Sequence, residues 1–389
     1  MSGSLLIKDA VLALPSGPSR ADLLCEGHRV VAIGRDLVSG GARVFQAAGL
    51  TVGPGFVDIH VHGGGGYSFL TKDPGAVRGY REWAPRNGVT AFLVSTVGPN
   101  AEATEAILGG LSQAIGTAPG AEAMGFHLEG PFLNPLRRGA FHPDMLREAV
   151  REEFLSYQAA AGGAIRQVTF APELSGALSL CAAISLTGAI PAIGHTDATI
   201  SETRRGFEAG ARHVTHLFNA MRPLHQREGG AIVAALLQDD ATCELVCDGY
   251  HVDPDVLRLA YRALGPNRMV AVTDNLNLAG TGESAGRFAG MDVEVAGPAA
   301  TRGDGTIVGS IATMDQHFRN IVRFLGVDVA TAFRICATNP ARVVGAGKRK
   351  GLIERGYDAD LVFLDSSLEV AATVCRGAVS CLRDEWRLA

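Results

Sequence analysis

The chain has 389 residues, 47% hydrophobic and 19% charged, with 49 glycines and only 6% aromatics, which excludes a disordered or fibrous protein. Its net charge of −5 comes without a run of Lys or Arg, which argues against nucleic acid or a membrane surface as a partner. Seven cysteines with no C-x-x-C pair argue against a disulfide framework and for a reducing compartment. Lys8 and Asp9 interrupt the apolar start, so no signal-peptide core forms. No apolar run approaches the ~18 residues that span a bilayer, and a soluble, cytoplasmic chain is expected.

Residues 1–52 read as short strands and turns, SLLIKDAVLAL, DLLCEGHRVVAIG and ARVFQAAGLTVGPG. From residue 54 onward, apolar runs rich in β-branched residues alternate with segments of helical period. The strand candidates are 56–62, 89–96, 124–130, 166–173, 190–196, 213–220, 243–249 and 268–275. The helix candidates are 74–86, 101–115, 143–160, 175–187, 199–209, 229–238, 253–264 and 313–325. Eight strand-then-helix units predict parallel strands joined by right-handed crossovers, closed into a (β/α)8 TIM-type barrel. A doubly wound open sheet is the alternative, but no G-x-G-x-x-G follows the first strand. Residues 276–312, Gly-rich around AGTGESAG, are longer than an ordinary βα connection and are expected to form a loop over the barrel's C-terminal face. The closing segments GLIERGYDADLVFLD and EVAATVCRGAVSCL alternate like the N-terminus. Neither end is long enough for its own core. The expected fold is therefore α/β, a barrel domain over 54–345 with a small discontinuous β-sandwich domain made by residues 1–53 and 346–389.

Polar residues gather where the strand candidates run out, which is where barrel enzymes place their sites. The first ends in His60-Val61-His62, and residues i and i+2 of a strand share one face ~6.6 Å apart. Asp58 and Phe56 share that face, while Val57, Ile59 and Val61 are expected to turn towards the helix layer. The third ends in His127-Leu128-Glu129, the fifth in His195, the sixth in His216 and the eighth in Asp274. Any one of these read alone is a hydrogen-bonded rim residue. Together, imidazoles and carboxylates are the ligand set of a catalytic divalent ion with a position left open for water. His127 and His213 suit backbone or supporting roles; His28, His225 and His317 lie in structural or solvated contexts. His251, after the seventh strand, is placed to reach a substrate.

The segments PGFVDIHVHGGGG, HLEGPFLNP, GHT, THLFNAM, CDGYHVD, VTD and DGTIVGS resemble the amidohydrolase superfamily, specifically the N-acetylglucosamine-6-phosphate deacetylase family, over nearly the whole chain. The resemblance implies hydrolysis of the acetamide of an N-acetyl amino-sugar 6-phosphate. It assigns Glu129, His195 and His216 to a main metal ion and His60 and His62 to a second, bridged by Glu129, so that one or two ions, Zn²⁺ or Fe²⁺, are implied. Asp274 becomes the general base and acid. His251 contacts the substrate near the scissile amide, and Asn219, Ala220 and Arg227 bind the sugar phosphate, Arg227 reaching from a neighbouring subunit of a homodimer. Ala140, Ile307, Val308 and Gly309 are further substrate contacts.

The sequence departs from the family pattern at two places. Gly139-Ala140-Phe141-His142 puts Phe where a His on the substrate is usual, and Asn275 follows Asp274 where a small residue is usual. Both positions are expected in the substrate pocket. The rival readings are a deacetylase of another amino sugar, such as N-acetylgalactosamine 6-phosphate or an unphosphorylated sugar, a cyclic-amide hydrolase of the same superfamily, and an inactive barrel scaffold.

Overall fold

In the computed structural model, which describes residues 3–38 and 40–384, eight parallel strands follow one another in chain order around a nearly closed ring. They are β1 (Phe56–Asp58), β2 (Val89–Thr96), β3 (Glu122–Glu129), β4 (Ile165–Phe170), β5 (Ile190–Ile193), β6 (His213–Val214), β7 (Thr242–Val246) and β8 (Met269–Val272). The β-branched run of β2 is buried at every position, as a parallel strand covered on both faces requires. The ring closes between β8 and β1 through loop residues. The Asp274 N–H donates to His60 O at 2.9 Å, and Thr273 Oγ1 donates to the buried Asp58 at 2.5 Å.

Helices between the strands complete the outer layer. Those used below are α1 (Gly75–Trp83), α2 (Ala101–Leu111), α3 (Arg151–Ala160) and α4 (Met314–Leu325). The sequence predicts α3 from residue 143, but Pro143–Met145 form only a single 3₁₀ turn capped by His142. Three short helical segments between Val329 and Val343 were not predicted.

The expected 276–312 loop is instead a four-stranded antiparallel sheet, Ala285–Phe288, Met291–Ala296, Ala299–Thr301 and Ile307–Ser310. It has its own apolar core of Leu276, Leu278, Phe288, Val293 and Ala300. Its last strand is anchored to the barrel, with the Ser310 N–H donating to Asp274 O at 2.9 Å and the Leu276 N–H to Ser310 O at 3.1 Å. The first hairpin turns through Ala289 and Gly290, both at positive φ, so an alanine occupies a place where Asn or Asp normally announces such a turn.

The two ends of the chain meet in one mixed eight-stranded sheet, in which Leu361–Leu364 runs antiparallel to Thr51–Pro54 and Thr51–Pro54 runs parallel to Leu5–Leu14. Residues 1, 2, 39 and 385–389 of the expected terminal domain lie outside the described residues. The sheet buries Ile7, Leu12, Leu23, Val52 and Phe363, and Phe45 meets Phe363 edge-on at 4.9 Å. Among the described residues no helix is long and apolar enough to cross a membrane.

An ion cluster joins this sheet to the bottom of the barrel. Arg349 grips Glu122 of β3 bidentately at 2.6 and 2.8 Å. The buried Lys350 ammonium lies 2.9 Å from Glu122 and 3.3 Å from Asp358, and also pairs with Asp360. Burial alone would raise the Glu122 carboxyl, but Arg349 and Lys350 outweigh it and hold it at about 2. Because the folded value lies below the ordinary 4.5, Glu122 stabilises the fold above pH 4.5 and loses that contribution as pH falls towards 2. Glu122→Gln should therefore cost about 2–4 kcal/mol at pH 7 in urea unfolding, and the gap between variant and parent should close as unfolding is repeated down to pH 2.

Candidate metal centre and active-site cavity

Polar side chains from five strand ends converge at the C-terminal mouth of the barrel. The histidines of the H-x-H pair are not on a regular strand, since β1 stops at Asp58 and the chain bends through the next residues. The structure also corrects the expected facing of the apolar residues. Val57 and Ile59 join Ala91, Leu93, Val246, Val270 and Val272 in a separate small cluster, and only Val61 joins the barrel-to-helix layer. Alternation holds between Val57 and Ile59 and fails only at Val61, beyond the end of the pleat.

Glu129 stands at the centre. Its Oε1 lies 3.2 Å from His195 Nε2, 3.1 Å from His216 Nε2 and 3.3 Å from His60 Nε2, and its Oε2 lies 3.0 Å from His62 Nε2. Asp274 Oδ1 is 3.5 Å from His60 Nε2 and 3.4 Å from His62 Nε2. Two triads could each hold a metal ion, Glu129 with His195 and His216, and His60 with His62 and Asp274, the candidate ligand atoms of each lying within 4.8 Å of one another.

The donor chemistry fits a cation. His62 Nδ1 donates to Ser95 O at 3.1 Å and His195 Nδ1 to Arg137 O at 2.9 Å, while His60 Nδ1 faces Glu244 Oε2 at 2.9 Å. Each of these three rings spends its Nδ1 hydrogen outward and, when neutral, presents the Nε2 lone pair inward, whereas His216 Nδ1 is buried without a hydrogen-bond partner among the described residues. His195 and His216 then face each other Nε2 to Nε2 at 3.0 Å, and His60 and His62 at 3.3 Å. Between His60 and His62, two lone pairs at that distance repel unless a cation lies between them. Ligands ~2.0–2.1 Å from one tetrahedral ion stand about 3.4 Å apart.

A buried polar belt holds these rings from below. Glu244 of β7, fully buried, accepts from Gln167 Nε2 at 2.7 Å, from the His216 N–H at 3.1 Å, and pairs with His213 Nε2 at 3.0 Å as well as with His60. Burial opposes its ionisation, but His60 and His213 hold the Glu244 carboxyl well below the usual range. His127 bridges Ser95 Oγ at 3.0 Å and Thr169 Oγ1 at 2.8 Å. Glu244 was not singled out in the sequence, although a lone acid in the apolar run CELVC is a signal that could have found it.

The backbone at these ends is strained. His195, His216 and Asp274 have φ of +46°, +27° and +52°, a left-handed region costly for residues with a side chain and one that recurs at functional sites. Gly139, at φ +57°, comes so close that a Cβ there would meet His195 Cε1 at 3.2 Å.

A cavity of about 880 Å³ opens above the cluster, with Glu129, His195, His216, His62 and Asp274 in its floor and wall. Of the expected substrate contacts, Ala140, Asn219, Ala220, His251, Ile307 and Val308 line it. Gly309 lies beneath, where a Cβ would meet Asp274 O at 2.8 Å. Arg227 is exposed and outside the lining, and its guanidinium makes no ion pair among the described residues. Its neighbour Glu228 accepts instead from the Ile200 and Gly230 N–H groups. Phe141 lines the cavity and meets His195 edge-on at 5.3 Å. Asn275 does not. It is buried behind Asp274, and its carbonyl accepts from the His62 N–H at 2.9 Å, because the left-handed turn at Asp274 carries it away from the opening. The small sheet supplies the facing wall through Phe288, Met291 and Arg302, none of which the sequence singled out.

Residues 51–379 match the amidohydrolase family. An N-acetylglucosamine-6-phosphate deacetylase of Bacillus subtilis is 36% identical over 85% of this chain and 85% of its own length. An N-acetylgalactosamine-6-phosphate deacetylase of Escherichia coli O157:H7 is 32% identical over 84% of this chain and 87% of its own. A mutant N-acetyl-D-glucosamine-6-phosphate deacetylase of Mycobacterium smegmatis, solved in complex with N-acetyl-D-glucosamine-6-phosphate, superposes with a TM-score of 0.89 at 34% identity, covering 97% of this chain and 99% of that one. The chain therefore belongs to the amidohydrolase family, and within it to the N-acetylglucosamine-6-phosphate deacetylases, a membership that implies a divalent metal, with the six convergent side chains as the candidates to hold it.

Proposed function

We propose that the protein hydrolyses the acetamide of N-acetyl-D-glucosamine 6-phosphate, releasing acetate and the free amino-sugar phosphate. The observation that carries this reading is the convergence of Glu129, four imidazoles and Asp274 on the floor of one cavity. Glu129, His195 and His216 are the residues to hold a main ion, and His60 and His62 a second with Glu129 between them, Zn²⁺ and Fe²⁺ both suiting such ligands. When bound, a divalent ion lowers the pKa of water and polarises the carbonyl of an amide.

The chain's own residues supply the proton transfers. Asp274 Oδ1 stands 3.5 Å from His60 Nε2 and 3.4 Å from His62 Nε2 in the cavity lining, and as a carboxylate it is placed to accept a proton. Asp274 takes that proton as water adds to the carbonyl carbon, and returns it to the nitrogen as the C–N bond breaks. His251 faces the same space and steadies the charge that builds on the carbonyl oxygen. Asn219, Ala220 and the segment Ile307-Val308 hold the sugar. Arg227 stands outside its own chain's cavity, so its contact with a phosphate requires a second subunit, and we infer a homodimer.

Phe141 in the cavity wall favours a second reading, the galactosamine epimer or an unphosphorylated sugar, because it replaces a polar contact with an aromatic edge.

Three measurements test the reading. Elemental analysis of Glu129→Gln should find the divalent metal of the parent protein lost while far-UV circular dichroism stays unchanged. Asp274→Asn should keep the ion of Glu129, His195 and His216 yet lower acetate release from N-acetyl-D-glucosamine 6-phosphate by at least about 10²-fold; activity within tenfold of the parent removes Asp274 from its role. Assayed on paired sugars with and without phosphate, Arg227→Ala should raise KM chiefly for the phosphorylated ones, and equal effects would mean that it binds no phosphate.

A further inference from the structure

His251 lines the cavity beside Asp274, but what fixes its ring lies behind the cavity wall. After β7 runs out at Val246, the chain turns back within five residues, pinned from α4. The Cys247 N–H donates to His317 Nδ1 at 2.9 Å, His317 Nε2 donates to Ala312 O at 3.1 Å, and Asn320 Nδ2 donates to Cys247 O at 3.0 Å. One His317 nitrogen thus accepts while the other donates, which is the neutral ring, and burial holds its pKa down at about 4. His317 brings no charge to the turn. Gly249, at φ +78°, permits the reversal, and a Cβ there would meet the Phe324 ring at 3.0 Å.

This turn seals the Asp248 side chain away from solvent, at 0% exposure. The two carboxylate oxygens have separate tasks. Oδ1 accepts from the Tyr250 and His251 N–H groups, both at 2.8 Å, and so holds the turn. Oδ2 faces His251 Nδ1 at 2.6 Å. Burial would raise the Asp248 carboxyl, but His251 outweighs it and keeps the group at about 2. An ionised carboxylate only accepts, so the His251 Nδ1 carries the hydrogen. Burial opposes a charge on this ring, but Asp248 beside it outweighs burial and raises the His251 pKa above its ordinary value, which favours the imidazolium with a second hydrogen on Nε2. No group of the protein bonds its Nε2 among the described residues, and that nitrogen is the one left for the cavity.

We propose that Asp248 is a positioning residue for the amide hydrolysis: through Oδ2 it fixes the hydrogen on His251 Nδ1 and aims a charged Nε2–H at the acetamide oxygen. The inference rests on the deacetylase reading. Asp248 itself touches no substrate. Its part resembles that of the carboxylate which orients an imidazole in a hydrolase triad, here without a nucleophilic side chain. A charge-assisted donor is roughly twice as strong as a neutral one, and its advantage appears as charge builds on the oxygen rather than when substrate binds.

Asp248→Asn separates the two tasks, because the amide oxygen still accepts from the backbone while the amide nitrogen, set against His251 Nδ1, forces the ring hydrogen onto Nε2 and leaves the ring neutral. Acetate release from N-acetyl-D-glucosamine 6-phosphate is measured on the metal-loaded parent, Asp248→Asn, His251→Ala and the double variant. The expected result is a kcat about tenfold lower in Asp248→Asn, KM changed by less than about threefold, metal content unchanged, and no further loss on adding Asp248→Asn to His251→Ala. Parental kcat in Asp248→Asn, or losses that multiply in the double variant, would overturn the proposal. Should the variant fail to fold, ¹⁵N NMR of the His251 ring in the metal-loaded parent decides instead, with both ring nitrogens protonated expected and an unprotonated Nδ1 or Nε2 overturning it. A parent that releases no acetate from any of the paired sugars defeats the deacetylase reading, and the ¹⁵N result still decides whether Asp248 sets the ring.

Discussion

Everything above the barrel mouth depends on one buried carboxylate, Glu129, within 3.3 Å of four imidazole nitrogens. Isolated, such a group is costly to bury, and so are inward-facing lone pairs. The surrounding residues impose this arrangement rather than avoid it. Ser95, Arg137 and Glu244 hold the rings from outside, and three strand ends adopt left-handed turns to deliver them. The stability lost locally is recovered lower down, where apolar cores fill the barrel and its helix layer.

Strand alternation, followed to where it stops, made much of the centre legible. Glu129, His195, His216 and Asp274 stand out because each ends an apolar run, and the structure brings all four together with His60 and His62. The same reasoning misjudged the facing of Val57 and Ile59, since periodicity groups residues that share a face without saying which face turns towards the helices. Glu244 escaped notice because it sits inside its run, where an acid reads as an interruption. Its importance comes from Gln167, His213 and His60 arriving from three other segments.

The cavity was less legible than the centre. Its facing wall is a small sheet that hides among Gly and Ala residues, with a turn at Ala289-Gly290 that lacks the side chain usually marking such a reversal. Asn275 and Phe141 looked equivalent as departures from the family pattern, yet one lies buried behind the site and the other lines it. Side-chain identity fixed neither outcome; the path of the backbone through a left-handed residue did.

The pairing of Leu361–Leu364 with Thr51–Pro54 bears on how the molecule assembles. The strand just before the barrel cannot complete its sheet until the chain that follows the barrel has been made, so the earliest segments wait, apolar edge exposed, for the last ones. Ladders between such distant partners pay a large loop-closure entropy and form slowly. Within the barrel the strands pair with immediate neighbours in sequence order, and only the closing contacts of Asp58 and His60 with Thr273 and Asp274 span a comparable separation. The terminal sheet thus ties the two ends of the chain together across the whole barrel, and the ion cluster of Glu122, Arg349 and Lys350 fastens the chain after the barrel to the start of β3.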